Sequence, residues 1–96
     1  MTTWVLYDIG DDRARHKVAK YCKQAGLYRV QLSVFLGNLE PTARDTLALQ
    51  LEALIDPTKD KVYIFVMNRP EMQQAQLLGQ AFDKKLVTDA IRAMFF

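Results

Sequence analysis

The apolar positions of the chain change period several times, and each change marks an element. Residues 3–9, TWVLYDI, are β-branched, aromatic and aliphatic, which predicts a buried strand. Gly10 breaks the run, and Asp11 or Asp12 caps the helix that follows by accepting from its first free N–H groups. In that helix Ala14, Val18, Cys22 and Ala25 recur at i, i+4, i+8 and i+11, with Tyr21 alongside. This is an apolar stripe of helical period. Arg13, Lys17, Lys20 and Gln24 fall on the opposite face, and Gly26 suits the position just past the helix end.

In LYRVQLSVFLG the period becomes two. Val30, Leu32, Val34 and Leu36 alternate with Arg29, Gln31, Ser33 and Phe35, as one long strand or two short ones bent near Leu32 and Ser33. The aliphatic face is expected to take the helices. The other face is mixed, and a surface meant only for water would seldom include phenylalanine.

Pro41 fits the first turn of a second helix, whose buried stripe is Leu47, Leu51, Leu54 and Ile55 and which ends at Asp56-Pro57. KVYIFVM then reads as another central strand, stopped by Asn68-Arg69-Pro70. Strand, helix, strand pair, helix and strand make an α+β sandwich of the ferredoxin-like βαββαβ kind, an antiparallel sheet with two helices on one face. MQQAQLLGQAF is a helix, or a linker and a short strand ending near Phe82. In KKLVTDAIRAMFF, Leu86, Val87, Ala90, Ile91 and Met94 suggest a helix, and the terminal Phe95 and Phe96 invite docking on a second subunit. The expectation is one domain, 1–96, with a core over 1–67 and a C-terminal extension over 71–96 at a dimer interface.

Composition narrows the class. At 96 residues the chain is the size of one small domain, and its own core is thin. One cysteine rules out an intrachain disulfide and fits a reducing compartment. No apolar run approaches the ~20 residues of a membrane span, and MTTWVLYD has no charged segment before its apolar part, so a cytoplasmic protein without membrane contact is expected. A net charge of +2 is too small to identify a nucleic-acid binder, but its distribution says more. Between Asp11 and Arg29 the basic residues Arg13, Arg15, Lys17, Lys20, Lys23 and Arg29 face only Asp11 and Asp12. Such a stripe suits a polyanion, or is a solvated helix face.

Asp8 stands out because its strand neighbours are apolar. An ionised carboxylate there is costly unless it is paired with Arg15 or Arg29, bonded to the helix start, or bound to a metal. Magnesium takes one or two protein carboxylates and keeps several waters, so one Asp per chain becomes adequate if a two-fold axis joins two copies. Arg15, Lys17 and Arg29 could hold a phosphodiester; their alternatives are a solvated helix face for Lys17 and a cross-strand ion pair for Arg29. Tyr7 and Phe35 are packing or an aromatic platform beside that site. His16, the only histidine, has no partner ligands for zinc and receives no catalytic role. Cys22 lies in the apolar stripe and reads as core. No Gly-rich phosphate loop is present.

YDI closing the first strand, the basic helix after it, and G-x-x-R-x-Q-x-SVF in the second strand pair resemble the CRISPR-associated Cas-two family, over residues 3 to about 67. The resemblance implies a ferredoxin-like homodimer that joins the Cas-one integrase in inserting captured DNA as new spacers. It also implies a magnesium-dependent endonuclease, acting on single-stranded RNA or duplex DNA. The family's metal-binding aspartate falls on Asp8, and residues that affect cleavage fall on Tyr7, Arg15, Lys17, Arg29 and Phe35. Position 17 is Lys where some relatives have Arg, which keeps the charge but loses the planar fork.

On that basis two Asp8 side chains across the dimer axis are expected to hold the ion, with Arg15, Lys17 and Arg29 orienting the nucleic acid. The alternative is a non-catalytic dimeric scaffold that clamps protospacer DNA, with Asp8 structural. A third possibility, outside the family, is a ferredoxin-like regulatory or toxin-type RNase domain.

Overall fold

The computed structural model describes residues 1–79 and 81. The expected helix over Leu86–Met94, the strand end at Phe82 and the docking of Phe95 and Phe96 lie outside them. In chain order the elements are β1 (Thr2–Asp8), α1 (Asp12–Gln24), β2 (Tyr28–Gln31), β3 (Val34–Asn38), α2 (Pro41–Glu52), β4 (Lys61–Met67) and α3 (Arg69–Gln74). The four strands form one antiparallel sheet in the order β2-β3-β1-β4. This is the α+β, ferredoxin-like arrangement. No helix among the described residues is long and apolar enough to cross a membrane.

Local chemistry sets the helix ends. The Asp11 carboxylate accepts from the Ala14 N–H at 2.8 Å and caps α1. Gly26 leaves α1 with φ +97, the left-handed conformation that a side chain disfavours. Pro41 opens α2, as its spacing predicts. α2 stops at Glu52, so Leu54 and Ile55 pack against the core from the turn beyond it rather than from the helix.

The sheet carries a core on each side. Val5, Tyr7, Ile9 and Phe35 pack with Val18, Ala19 and Cys22 of α1 and with Leu47 and Leu51 of α2. On the other side Trp4, Val30 and Leu36 pack with Met72 of α3, flanked by Leu6, Val34 and Met67. The aliphatic face of β2 and β3 therefore lies away from α1 and α2, the reverse of the sequence expectation. Phe35, the largest fully buried side chain, fills the space beneath the two long helices, and strand alternation carries Val34 and Leu36 to the far side. The pairing also slips between Arg29 and Gln31, a bulge at Val30 that breaks strict alternation. At Gly37 a Cβ would stand 2.9 Å from Leu27 Cδ2 and 3.2 Å from the Gly26 carbonyl, so a side chain on β3 there would require Leu27 and the α1–β2 connection to shift.

The helix that the sequence offers from Met72 onward begins earlier, within the Asn68-Arg69-Pro70 stop, and ends at Gln74. Its signal was readable: Asn68 accepts from the Glu71 N–H while the Glu71 carboxylate accepts from the Asn68 N–H, a capping box around Pro70. The helix brings Met72 against Trp4, whose Nε1 donates to Met72 Sδ at 3.2 Å.

β4 is an edge strand among the described residues, not a central one. Its alternate residues Tyr63 and Phe65 stack at 6.2 Å on the α3 side of the sheet and are 50% and 47% exposed. They stand opposite Leu6 and Trp4, so an apolar strip beside α3 is left open.

Candidate functional site

Strand alternation divides the C-terminal end of β1. Tyr7 enters the core beneath α1, and the next residue, Asp8, belongs to the opposite face with Leu6 and Trp4. The predicted site residues therefore separate into two groups.

The first group gathers under the N-terminal half of α1. The Tyr7 N–H donates to the Ser33 carbonyl at 3.1 Å, and its hydroxyl donates to the Leu32 carbonyl at 3.1 Å. Tyr7 thus fastens the β2–β3 turn to the end of β1. Burial pushes its phenol up, against the hydrogen bond and positive charge of Arg29, so at neutral pH the group remains a donor. Phe35 lies parallel to the Tyr7 ring at 6.3 Å between centroids and is fully buried. It cannot touch a substrate. Its exposed consequence is Arg29, whose guanidinium lies 5.1 Å from the Phe35 ring centroid.

Arg29 has no ion pair among the described residues, and its buried Nε has no acceptor. The cross-strand ion pair that stood as the alternative for Arg29 is absent among those residues, since its register partner is Phe35 itself. Arg15 extends from α1 to the same place. It pairs with Asp12 on the helix surface and donates from Nη1 to the Ile9 carbonyl at 3.5 Å. Tyr7, Arg15, His16, Arg29, Leu32 and Ser33 line a recess of about 360 Å³. Sequence reasoning missed His16 and Ser33 here. His16 was set aside for lacking metal partners, yet one helical step from Arg15 suffices to place it on the recess.

Asp8 and Lys17 form no part of that recess. Lys17 is exposed on α1. Asp8 is exposed at the rim of the open sheet face, opposite Lys61 in the register with β4. No ion pair or hydrogen bond reaches its carboxylate among the described residues, neither from Arg15 nor from Arg29. The desolvation argument for Asp8 therefore fails within one chain, because the last residue of a strand reaches water. For a magnesium ion the donor set of one chain is this single carboxylate: no group of three or more His, Cys, Asp or Glu side chains stands together among the described residues. One carboxylate is within what magnesium accepts, the rest of its shell being water. Cys22 is core, as expected. Burial pushes its thiol up to about 12, against the charge of Arg29, which leaves it protonated and unreactive.

Comparison with known proteins bears on this geometry. The family model for CRISPR associated protein Cas2 matches residues 1–75. The chain is 35% identical over 83 residues to the CRISPR-associated endoribonuclease Cas2 2 of Chloroflexus aurantiacus, covering 86% of this chain and 98% of that protein. Among solved structures, Streptococcus pyogenes Cas2 at pH 6.5 superposes with a TM-score of 0.68 at 26% identity, covering 82% of this chain and all of that one. A hypothetical protein of Thermus thermophilus gives 0.65 at 34% identity, over 81% and 89% of the two chains. With its family match running from β1 through α3, and Tyr7 of YDI stacked on Phe35 of SVF in one core, the chain belongs to the CRISPR-associated Cas2 family.

Proposed function

We propose that this protein is a magnesium-dependent endonuclease that hydrolyses phosphodiester bonds of single-stranded RNA or duplex DNA. It acts as a homodimer, in the cytoplasm, and takes part in spacer integration beside the Cas-one integrase. The observation that carries the reading is the position of Asp8, an exposed carboxylate with no partner among the described residues, at the rim of an open apolar sheet face. Two copies joined through Tyr63 and Phe65 would cover that face and bring two Asp8 carboxylates to one seam.

Asp8 of each copy would hold the ion, which supplies charge stabilisation and an activated water when bound. Arg15, Lys17 and Arg29 bind phosphates and orient the strand without reading its bases. Phe35 positions Arg29, and Tyr7 fixes the turn against β1. The relatives named as endoribonucleases support hydrolysis of RNA.

The test is cleavage of labelled single-stranded RNA and duplex DNA by purified protein, with magnesium and with EDTA. Asp8→Asn should abolish cutting and leave the oligomeric state intact. Cutting that survives in Asp8→Asn would sink the hydrolytic reading. One observation favours a second reading, a dimeric DNA-binding scaffold: a lone carboxylate per chain is thin catalytic equipment, whereas the basic face of α1 is complete without a metal. In that case Arg15→Ala and Lys17→Ala weaken DNA binding and reduce its salt dependence by about one unit of slope per lost contact, with no cutting to lose.

A further inference from the structure

The recess beneath α1 is on the opposite side of the sheet from Asp8, so the reaction centre proposed above does not use it directly. Its chemistry is nevertheless specific. Among the described residues Arg29 brings a guanidinium with no carboxylate partner, bonded instead to the Tyr7 hydroxyl, and a buried Nε without an acceptor. Arg15 contributes a second guanidinium, committed among the described residues to the surface carboxylate of Asp12 and, at 3.5 Å, to the Ile9 carbonyl. Ser33 adds a hydroxyl. His16 Nδ1 donates to the Asp12 carbonyl at 2.8 Å, which fixes the imidazole on the wall of the recess. Leu32, 74% exposed in the β2–β3 turn, gives the recess an apolar lip.

We propose that this recess binds a phosphomonoester, the phosphorylated end of a nucleic-acid strand, between the guanidinium groups of Arg29 and Arg15. Two arginines match a phosphomonoester in charge and in forked geometry. An internal phosphodiester carries one charge and is flanked by sugars on both sides, so it suits an open groove better than a recess of about 360 Å³. Leu32 then lies where the sugar or base of the terminal nucleotide would rest. The site holds a strand by its end, while Asp8 on the far face meets a bond some distance along it. The biological ligand rests on the nucleic-acid reading given above; the binding itself does not.

The experiment measures equilibrium binding of a short single-stranded oligonucleotide to Asp8→Asn protein, with a 5′-phosphate, with a 3′-phosphate, or with hydroxyls at both ends. Inorganic phosphate serves as competitor. One phosphorylated form should bind roughly tenfold tighter than the hydroxyl form, the effect of one or two charge-assisted hydrogen bonds. Arg29→Gln and Arg15→Gln should each shrink that difference, and Arg29→Lys should restore part of it. In the wild-type background, titration with inorganic phosphate should move the Arg29 Nε–H resonance, which reads the site without any substitution. Equal affinity for all three ends, or an Arg29 resonance unmoved by phosphate, overturns the proposal. End preference in a protein that never cuts would leave this site standing and remove the nuclease.

Discussion

Arg29 and Phe35 face each other across the β2–β3 hairpin, and the Arg29 guanidinium rests 5.1 Å from the centre of the Phe35 ring. The pair joins the buried and the accessible parts of the molecule. Phe35 belongs to the core that α1 and α2 cover, and Arg29 borders the recess. Packing under the helices thus determines where a solvent-facing cation stands.

This relationship gives a prediction for Phe35. Phe35→Ala should cost about 3–5 kcal/mol, a large part of the stability of a small domain. Phe35→Leu should cost less and still fold, while removing the aromatic support worth about 0.5–2 kcal/mol to the cation. The Phe35→Leu protein should therefore bind or cut nucleic acid more weakly at temperatures where urea titration shows it fully folded. Undiminished activity in that folded variant would mean the ring does not position Arg29.

Asp8 should behave in the opposite way. Its side chain is exposed and unpaired among the described residues, so Asp8→Asn should change unfolding free energy by no more than about 0.5 kcal/mol. Loss of cutting in the same protein would then be a chemical effect, read from cleavage and urea curves side by side.

The open sheet face supplies a third test. Tyr63 and Phe65 stack on each other and remain about half exposed, next to Leu6 and Trp4. Phe65→Lys places a charge in the middle of that strip. Sedimentation velocity should show monomers for this variant and dimers for the unaltered protein. A dimer that survives Phe65→Lys would require a different interface.

Cys22 gives stability a dependence on pH. Its thiol is raised by burial from the ordinary 9.0 to about 12, so the folded chain holds a proton that the unfolded chain releases. The stabilisation is complete below pH about 9 and is lost as pH rises toward 12, with a slope of at most about 1.4 kcal/mol per pH unit. Burial raises the Tyr7 phenol as well and acts in the same direction. Cys22→Ala should flatten the alkaline limb of the stability curve, and Cys22 should resist thiol reagents until the chain unfolds.

Much of the architecture was legible in the order of residues. Asp11 as a cap, Gly26 past a helix end and Pro41 at a helix start are local choices, decided by hydrogen bonds and torsions within a few residues. Period two around Phe35 and the helical spacing of Val18 and Cys22 are local as well. The grouping of YDI with SVF was enough to suggest the family.

What only tertiary structure decided is direction. Alternation shows that Phe35 and Leu36 point to opposite faces but not which face the long helices cover. That choice went to Phe35 and Tyr7, because α3 returns with Met72 to cover Trp4 and Leu36 from behind, and so both faces could be apolar. The same alternation parts Tyr7 from Asp8, which are adjacent in sequence and on opposite sides of the sheet. Arg15, His16 and Arg29 meet because the β2–β3 turn folds back against β1, a contact between residues distant along the chain. Periodicity records how a strand's neighbours differ; only packing says what each of them will touch.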